Sequence, residues 1–174
     1  MAWFLALVMA VLLWFPPLVR AEETTVILRQ ITPQGSGAEV GQVLLRDTDR
    51  GLRLITRLHA LPPGHHGLHV HEHPDCGPAQ KGDLPVAGLA AGGHFDPAAT
   101  GVHAGPLGDG HLGDLPRLAV AEDGRSEQSL LAPRLQLEAI HGRALIVHAG
   151  GDNYRDEPEP LGGGGARIAC GLIP

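Results

Sequence analysis

From Thr24 onward the chain carries short apolar runs cut by clusters of turn residues, and none keeps a helical period long enough for a helix. Thr24–Ile31 is β-branched and apolar, Pro33-Gln34-Gly35-Ser36-Gly37 is a turn cluster, Glu39–Arg46 resumes, and Asp47-Thr48-Asp49-Arg50-Gly51 turns again. In Leu52–His59, Leu52, Leu54, Thr56 and Leu58 fall on one face and Arg53, Arg57 and His59 on the other, the period-two signature of a half-buried strand. Strand-like runs return at Leu118–Ala121, Ser129–Ala132, Ala144–His148 and Ala166–Ile173, while Arg134–Ile140 reads equally as a strand or a short helical turn. About eight short strands and two long loops, Pro74–Asp114 and Gly150–Gly165, predict an all-β antiparallel sandwich or barrel.

The chemistry-bearing residues lie in and around those loops. Gly67-Leu68-His69-Val70-His71-Glu72-His73 alternates three histidines with other residues, so on a strand all three share a face. Two imidazoles at that spacing clamp a borderline-soft metal such as copper or zinc. Pro74–Asp114 is rich in Gly, Pro, Ala and Asp and shows no regular structure, yet it holds His94, His103, His111 and Asp114. A loop without an apolar core of its own can be ordered by a bound ion. Three imidazoles and a carboxylate from one loop make a full tetrahedral shell with no open position, as in structural zinc sites, although the spacing is not that of a zinc finger. His69, His71 and His148 come from strand positions distant in sequence, which suits a rigid site on a barrel wall. Gly162–Gly165 lacks the Lys-Ser/Thr pair and helix of a phosphate-binding loop and reads as a flexible loop end.

Residues 1–21 differ from the rest. Ala2–Val19 is almost wholly apolar and ends in Val19-Arg20-Ala21 before Glu22-Glu23, which reads as a cleavable export signal with an uncharged start. The rival membrane anchor is disfavoured by Pro16-Pro17 and by a run shorter than the ~20 apolar residues a span needs. Residues 22–174 then form one domain of 12 basic and 19 acidic residues, net −7, a poor partner for nucleic acid. Cys76 and Cys170 both survive processing, and in an exported chain two cysteines are expected to pair.

With these residues in hand, the sequence resembles the copper/zinc superoxide dismutases of the bacterial periplasmic type. The likeness runs from about Thr24 to Pro174. It is carried by Gly67-Leu-His-Val-His-Glu72, Gly92-Gly-His-Phe-Asp-Pro97, Gly110-His-Leu-Gly-Asp-Leu-Pro116, Val147-His-Ala-Gly-Gly-Asp-Asn153 and Gly162-Gly-Gly-Gly-Ala-Arg-Ile-Ala-Cys-Gly171. The resemblance implies an antiparallel Greek-key β-barrel or sandwich of eight strands with two functional loops. It also implies conversion of superoxide to O2 and hydrogen peroxide by copper redox cycling, with zinc structural. Copper is expected on His69, His71, His94 and His148, and zinc on His94, His103, His111 and Asp114, with His94 shared. Cys76–Cys170 matches the family's disulfide, Arg167 its arginine beside copper, Asp152 the carboxylate behind ligands of both metals, and His66 a structural histidine behind the copper site. A homodimer is the family's usual arrangement, implied here by the resemblance alone, and no membrane insertion is expected after processing.

Against that, His59, His65 and His141 have no matching role, and His73 is assigned to the surface. The rival function class is a non-enzymatic periplasmic copper- or zinc-binding protein on the same fold. The full ligand set together with Arg167 favours the enzyme.

Overall fold

In the computed structural model, which describes residues 22–174, the first three runs form a meander of β1 (Glu23–Thr32), β2 (Gly35–Thr48) and β3 (Gly51–Leu58). The expected export segment, 1–21, lies outside the described residues. Pairing runs to the very end of both hairpins because a threonine closes each turn. Thr32 Oγ1 donates to the Gly35 carbonyl and accepts from Gln34 N, and Thr48 Oγ1 donates to the Gly51 carbonyl and accepts from Arg50 N. This is why β2 begins at Gly35 instead of the expected Glu39. On β3 the predicted alternation holds: Leu52, Leu54, Thr56 and Leu58 are buried and Arg57 is exposed.

The chain then crosses to the far edge of the sheet as β4 (Gly64–His66) and β5 (Leu68–His71), one strand interrupted at Gly67. A small hairpin, β6 (Ala79–Lys81) with β7 (Leu84–Val86), stands in the first long loop, where the sequence showed no regular structure. Next come β8 (Leu118–Val120), β9 (Ser129–Ala132), β10 (Ala144–His148) and β11 (Arg167–Leu172). The ambiguous Arg134–Ile140 ends in a short 3-10 turn, Leu137–Ile140.

Seven strands form one curled antiparallel sheet in the order β5-β10-β11-β1-β2-β3-β9, and β8 pairs with β4. With β4 and β5 counted as one strand and the loop hairpin set aside, the barrel has the expected eight strands. The passages from β3 to β4 and from β9 to β10 are Greek-key crossovers. Leu28, Val43, Leu45, Leu54, Leu68, Leu145 and Val147 fill the interior with no exposure. Each such side chain contributes about 1.5–3 kcal/mol of burial.

β5 and β10 decide where the functional site lies, because both are buried on both faces. Leu68 and Val70 of β5 and Leu145 and Val147 of β10 point into the barrel core. The alternate residues His69, His71 and His148 therefore stand on the outer wall, where the two long loops cover them. The first loop covers β5 by pairing with its free edge: His69 faces Asp114 and His71 faces His94 across antiparallel bridges. Val70 N donates to the Gly113 carbonyl at 2.9 Å and Phe95 N to the Val70 carbonyl at 2.8 Å.

Candidate metal centre

Register alone brings four imidazoles together. His69 and His71 come from β5, His148 from the end of β10, and His94 from the loop strand paired beside His71. One ligand atom from each lies within 4.8 Å of all the others. Their hydrogen bonds fix which nitrogens carry protons. His71 Nδ1 lies 3.1 Å from the Gly92 carbonyl and His148 Nδ1 3.2 Å from the Gly165 carbonyl, so both must donate. His69 Nε2 donates to Asp152 Oδ2 and His94 Nδ1 to Asp114 Oδ1. The opposite nitrogens are left as lone pairs. His71 Nε2 and His148 Nε2 face each other at 3.3 Å, and His69 Nδ1 and His94 Nε2 are buried with no partner. Four convergent, desolvated lone pairs are costly without a cation and suit copper or zinc with one.

Burial, the largest influence on each, holds the pKa of all four rings below the ordinary 6.5, with His94 at about 4 and His148 at about 2. They are therefore neutral and ready to ligate at pH 7.

The other nitrogen of His94 opens onto a second cluster. Around Asp114, buried and 2 % exposed, stand His94 Nδ1 at 2.9 Å, His103 Nδ1 at 3.0 Å and His111 Nδ1 at 3.4 Å. His103 Nδ1 and His111 Nδ1 are buried and face the Asp114 carboxylate, so a cation held there takes the place of the proton that His103 turns towards Asp114. His69 also reaches within 4.8 Å of His94, His103 and Asp114, but its Nε2 is committed to Asp152, and its free Nδ1 belongs to the first pocket. His111 sits at the rim of this cluster. A carboxylate with three imidazoles is a zinc-type donor set.

Asp152 stands behind both clusters. Its Oδ2 accepts from His69 Nε2 at 2.8 Å, and its Oδ1 accepts from His103 Nε2 at 2.8 Å and from Tyr154 N at 2.7 Å. Both oxygens face donors, so Asp152→Asn must turn an NH2 against one of them. A loss of ~10–100-fold in metal affinity is expected, to be read by chelator competition.

Charge in the cluster gives a pH signature. Burial opposes a charge on His103, but Asp114 and Asp152 outweigh it and raise its pKa to about 9. Burial likewise pushes Asp114 and Asp152 up, and hydrogen bonds from His103 and its neighbours pull both well below the usual carboxylate range. In the metal-free chain the His103 contribution to stability is full below pH 6.5 and fades as pH rises through about 9. The His94 contribution is full above 6.5 and fades as pH falls through about 4. Thermal unfolding of the metal-free protein is thus expected to peak near pH 6.5; a flat profile from pH 5 to pH 9 would contradict this.

Arg167, at the start of β11, reaches the first pocket's wall. Its Nη1 donates to the Gly88 carbonyl and its Nη2 to the Gly92 carbonyl at 2.6 Å, the same oxygen that takes the His71 Nδ1 proton. Burial lowers its pKa, yet an arginine stays charged. Cys76 and Cys170 form a disulfide with Cα atoms 5.7 Å apart, tying β11 to the loop that carries those carbonyls. His66 is buried behind His148, with Nδ1 2.8 Å from the His148 carbonyl and Nε2 2.8 Å from the Pro62 carbonyl.

His59, His65, His73 and His141 are exposed and outside both clusters; His141 instead contacts Glu22 and the Pro174 carbonyl oxygen. The glycine run is not a loose end. Gly162 has φ +71°, and a Cβ there would lie 2.2 Å from Asp152 Oδ1 and 2.8 Å from His103 Nε2. Only glycine lets the second loop close on that hydrogen bond. Tyr154 and Asp156 also reach the centre, and neither carried a metal-ligand signal in the sequence.

An all-imidazole pocket that shares a ring with a carboxylate-containing one, on the wall of an antiparallel barrel, defines a β-barrel metalloprotein of the binuclear kind. A family model described as copper/zinc superoxide dismutase (SODC) matches residues 39–173. The curated superoxide dismutase [Cu-Zn] of Brucella abortus is 52% identical over 164 residues, covering 94% of this chain and 94% of the relative. The solved copper/zinc enzyme of Brucella abortus superposes with a TM-score of 0.87 at 52% identity, over 88% of this chain and 100% of that one. The Salmonella enterica enzyme, described as monomeric, gives 0.80 at 49% identity over 88% and 100%. The chain belongs to the copper/zinc superoxide dismutase family.

Proposed function

We propose that this chain is an exported superoxide dismutase with copper held by His69, His71, His94 and His148 and zinc by His94, His103, His111 and Asp114. The observation that carries the reading is the convergence of four lone-pair imidazole nitrogens, on rings kept neutral by burial, beside a charged arginine. Bound copper supplies the one-electron chemistry that converts superoxide to O2 and hydrogen peroxide, and zinc, with no redox change to offer, supplies charge and structure.

The chain's own residues do the rest. The carbonyls of Gly92 and Gly165 hold His71 and His148 in the tautomer that keeps Nε2 free, and Asp152 does the same for His69 Nδ1. His94 Nε2 is the site-facing nitrogen at which a proton can be held for the product. Arg167 spends two of its five N–H donors on carbonyls and keeps the others for a small anion. In a domain, residues 22–174, of net −7 it gives the local positive potential that draws superoxide in. Export is supported by the apolar stretch 1–21 and by the disulfide, which belongs to an oxidising compartment. No helix among the described residues is long and apolar enough to cross a membrane.

Metal analysis of the purified mature protein beside a superoxide assay tests the reading. Copper and zinc together with activity that disappears when copper is chelated is the expected result. High activity with copper near zero overturns it, and both metals bound without activity leaves the non-enzymatic carrier.

A further inference from the structure

The second long loop reaches the metal centre with alternate side chains. Asp152, Tyr154 and Asp156, each two residues apart, all make contacts across to the first loop. The residues between them serve the loop itself: Asn153 Nδ2 donates to the Glu157 carbonyl at 3.0 Å, and Arg155 N donates to Asn153 Oδ1 at 2.8 Å. Asp152 takes the ring proton of His103. Asp156 takes its backbone proton: Asp156 Oδ2 accepts from His103 N at 2.8 Å, while Oδ1 accepts from Leu161 N at 3.1 Å within the second loop. Tyr154 holds the chain two residues further on. Its ring stands where a side chain at Gly105 would be, a Cβ there lying 2.6 Å from the ring, and its hydroxyl accepts from Arg117 N at 3.0 Å. The first loop's own bonds nearby include Ala104 N to Asp114 Oδ2 at 3.1 Å, His111 N to the Val102 carbonyl at 2.9 Å and Val102 N to Thr100 Oγ1 at 3.4 Å, and none of these holds the His103 backbone itself.

We infer that Asp156 and Tyr154 are positioning residues that fix His103, and through it set the affinity of the carboxylate-containing cluster for its metal. The inference rests on the reading that this cluster takes zinc. Neither residue touches the imidazole pocket, so the effect falls on one metal and not the other.

The test is zinc and copper affinity of the full mature chain, by chelator competition, with cobalt substituted at the zinc site for its visible spectrum. Asp156→Ala is expected to lower zinc affinity ~10–100-fold, as loss of an outer hydrogen-bond partner does, and to shift the cobalt bands. Copper affinity stays within about threefold, since the copper-side hydrogen bonds are untouched. Asp156→Asn, which keeps one acceptor, falls between, and Asp156→Glu, which keeps both, restores part of the affinity. Tyr154→Phe costs about 2- to 10-fold, the equivalent of one neutral hydrogen bond. If Asp156→Ala does not fold, Asp156→Asn carries the test. Unchanged zinc affinity in the Asp156 variants overturns the inference, and so does a loss shared equally by copper. A wild-type chain that takes up no zinc overturns the metal assignment itself, a separate outcome read before any variant.

Discussion

His94→Ala is expected to abolish superoxide turnover and to weaken both metals by more than the ~10–100-fold that loss of an outer partner costs. The reason is geometric. One face of the ring belongs to the imidazole pocket, with Nε2 free, and the other to Asp114, 2.9 Å from Nδ1. Its ring centroid lies 3.9 Å from that of His69, 5.0 Å from His71, and 5.4 Å from both His103 and His111. Removing it leaves each cluster a ligand short and opens a void where the side chain was almost fully buried. Two comparisons sharpen the result. His111→Ala, at the rim of the second cluster, is expected to lower zinc and spare copper. His73→Ala, with its side chain 63% exposed, is expected to change neither. Metal content and activity of the three variants decide the matter; a His94→Ala protein with wild-type copper and zinc shows that the ring is not shared.

Much of this centre was legible because strand periodicity is a strong local signal. The spacing of His69 and His71 placed them on one face, and Ala144–His148 appears as β10 with the predicted bounds. What periodicity could not say was which face. β5 has its leucine and valine in the barrel and its histidines outside, and those histidines are nonetheless fully buried. The covering comes from a loop paired along the strand's edge, a long-range fact that depends on Gly113, Phe95 and Gly93 meeting Val70 and Glu72.

The loops were less legible, for a related reason. Their order comes from side chains bonding backbone far away in sequence, as Asp156 does with His103 over 53 residues. No local pattern of apolar residues announces such a bond. β6 and β7 leave no legible pattern because each has only three residues, and Gly82 and Pro85 interrupt any alternation. In the sequence the glycine run reads as flexible, whereas in the fold its smallness is what matters. Gly162 is needed for the space it leaves beside Asp152 and His103. The available signal for close approach was a four-glycine run ten residues past Asp152, in the loop that opens just after His148.

Removal of the disulfide is expected to cost both stability and activity, by separable routes. Cys76 and Cys170 are 94 residues apart, and on the chain-entropy model closing such a loop contributes roughly 4–5 kcal/mol. For a domain of this size that corresponds to a fall of roughly 10–20 °C in Tm for Cys76→Ser with Cys170→Ser. The activity loss has a different origin. Cys170 lies on β11 three residues beyond Arg167, and Cys76 begins the segment whose Gly88 and Gly92 carbonyls receive the Arg167 guanidinium. Because the Gly92 carbonyl also receives His71 Nδ1, that segment sets the arginine and a pocket histidine from one oxygen. Without the bridge, the segment can part from β11 while His69, His94 and His148 keep their own supports. Copper is therefore expected to stay bound while turnover falls, the loss appearing in the substrate dependence more than in the metal content. If the reduced protein keeps copper and full activity below its Tm, the two carbonyls hold Arg167 unaided, and the disulfide acts only by constraining the unfolded chain.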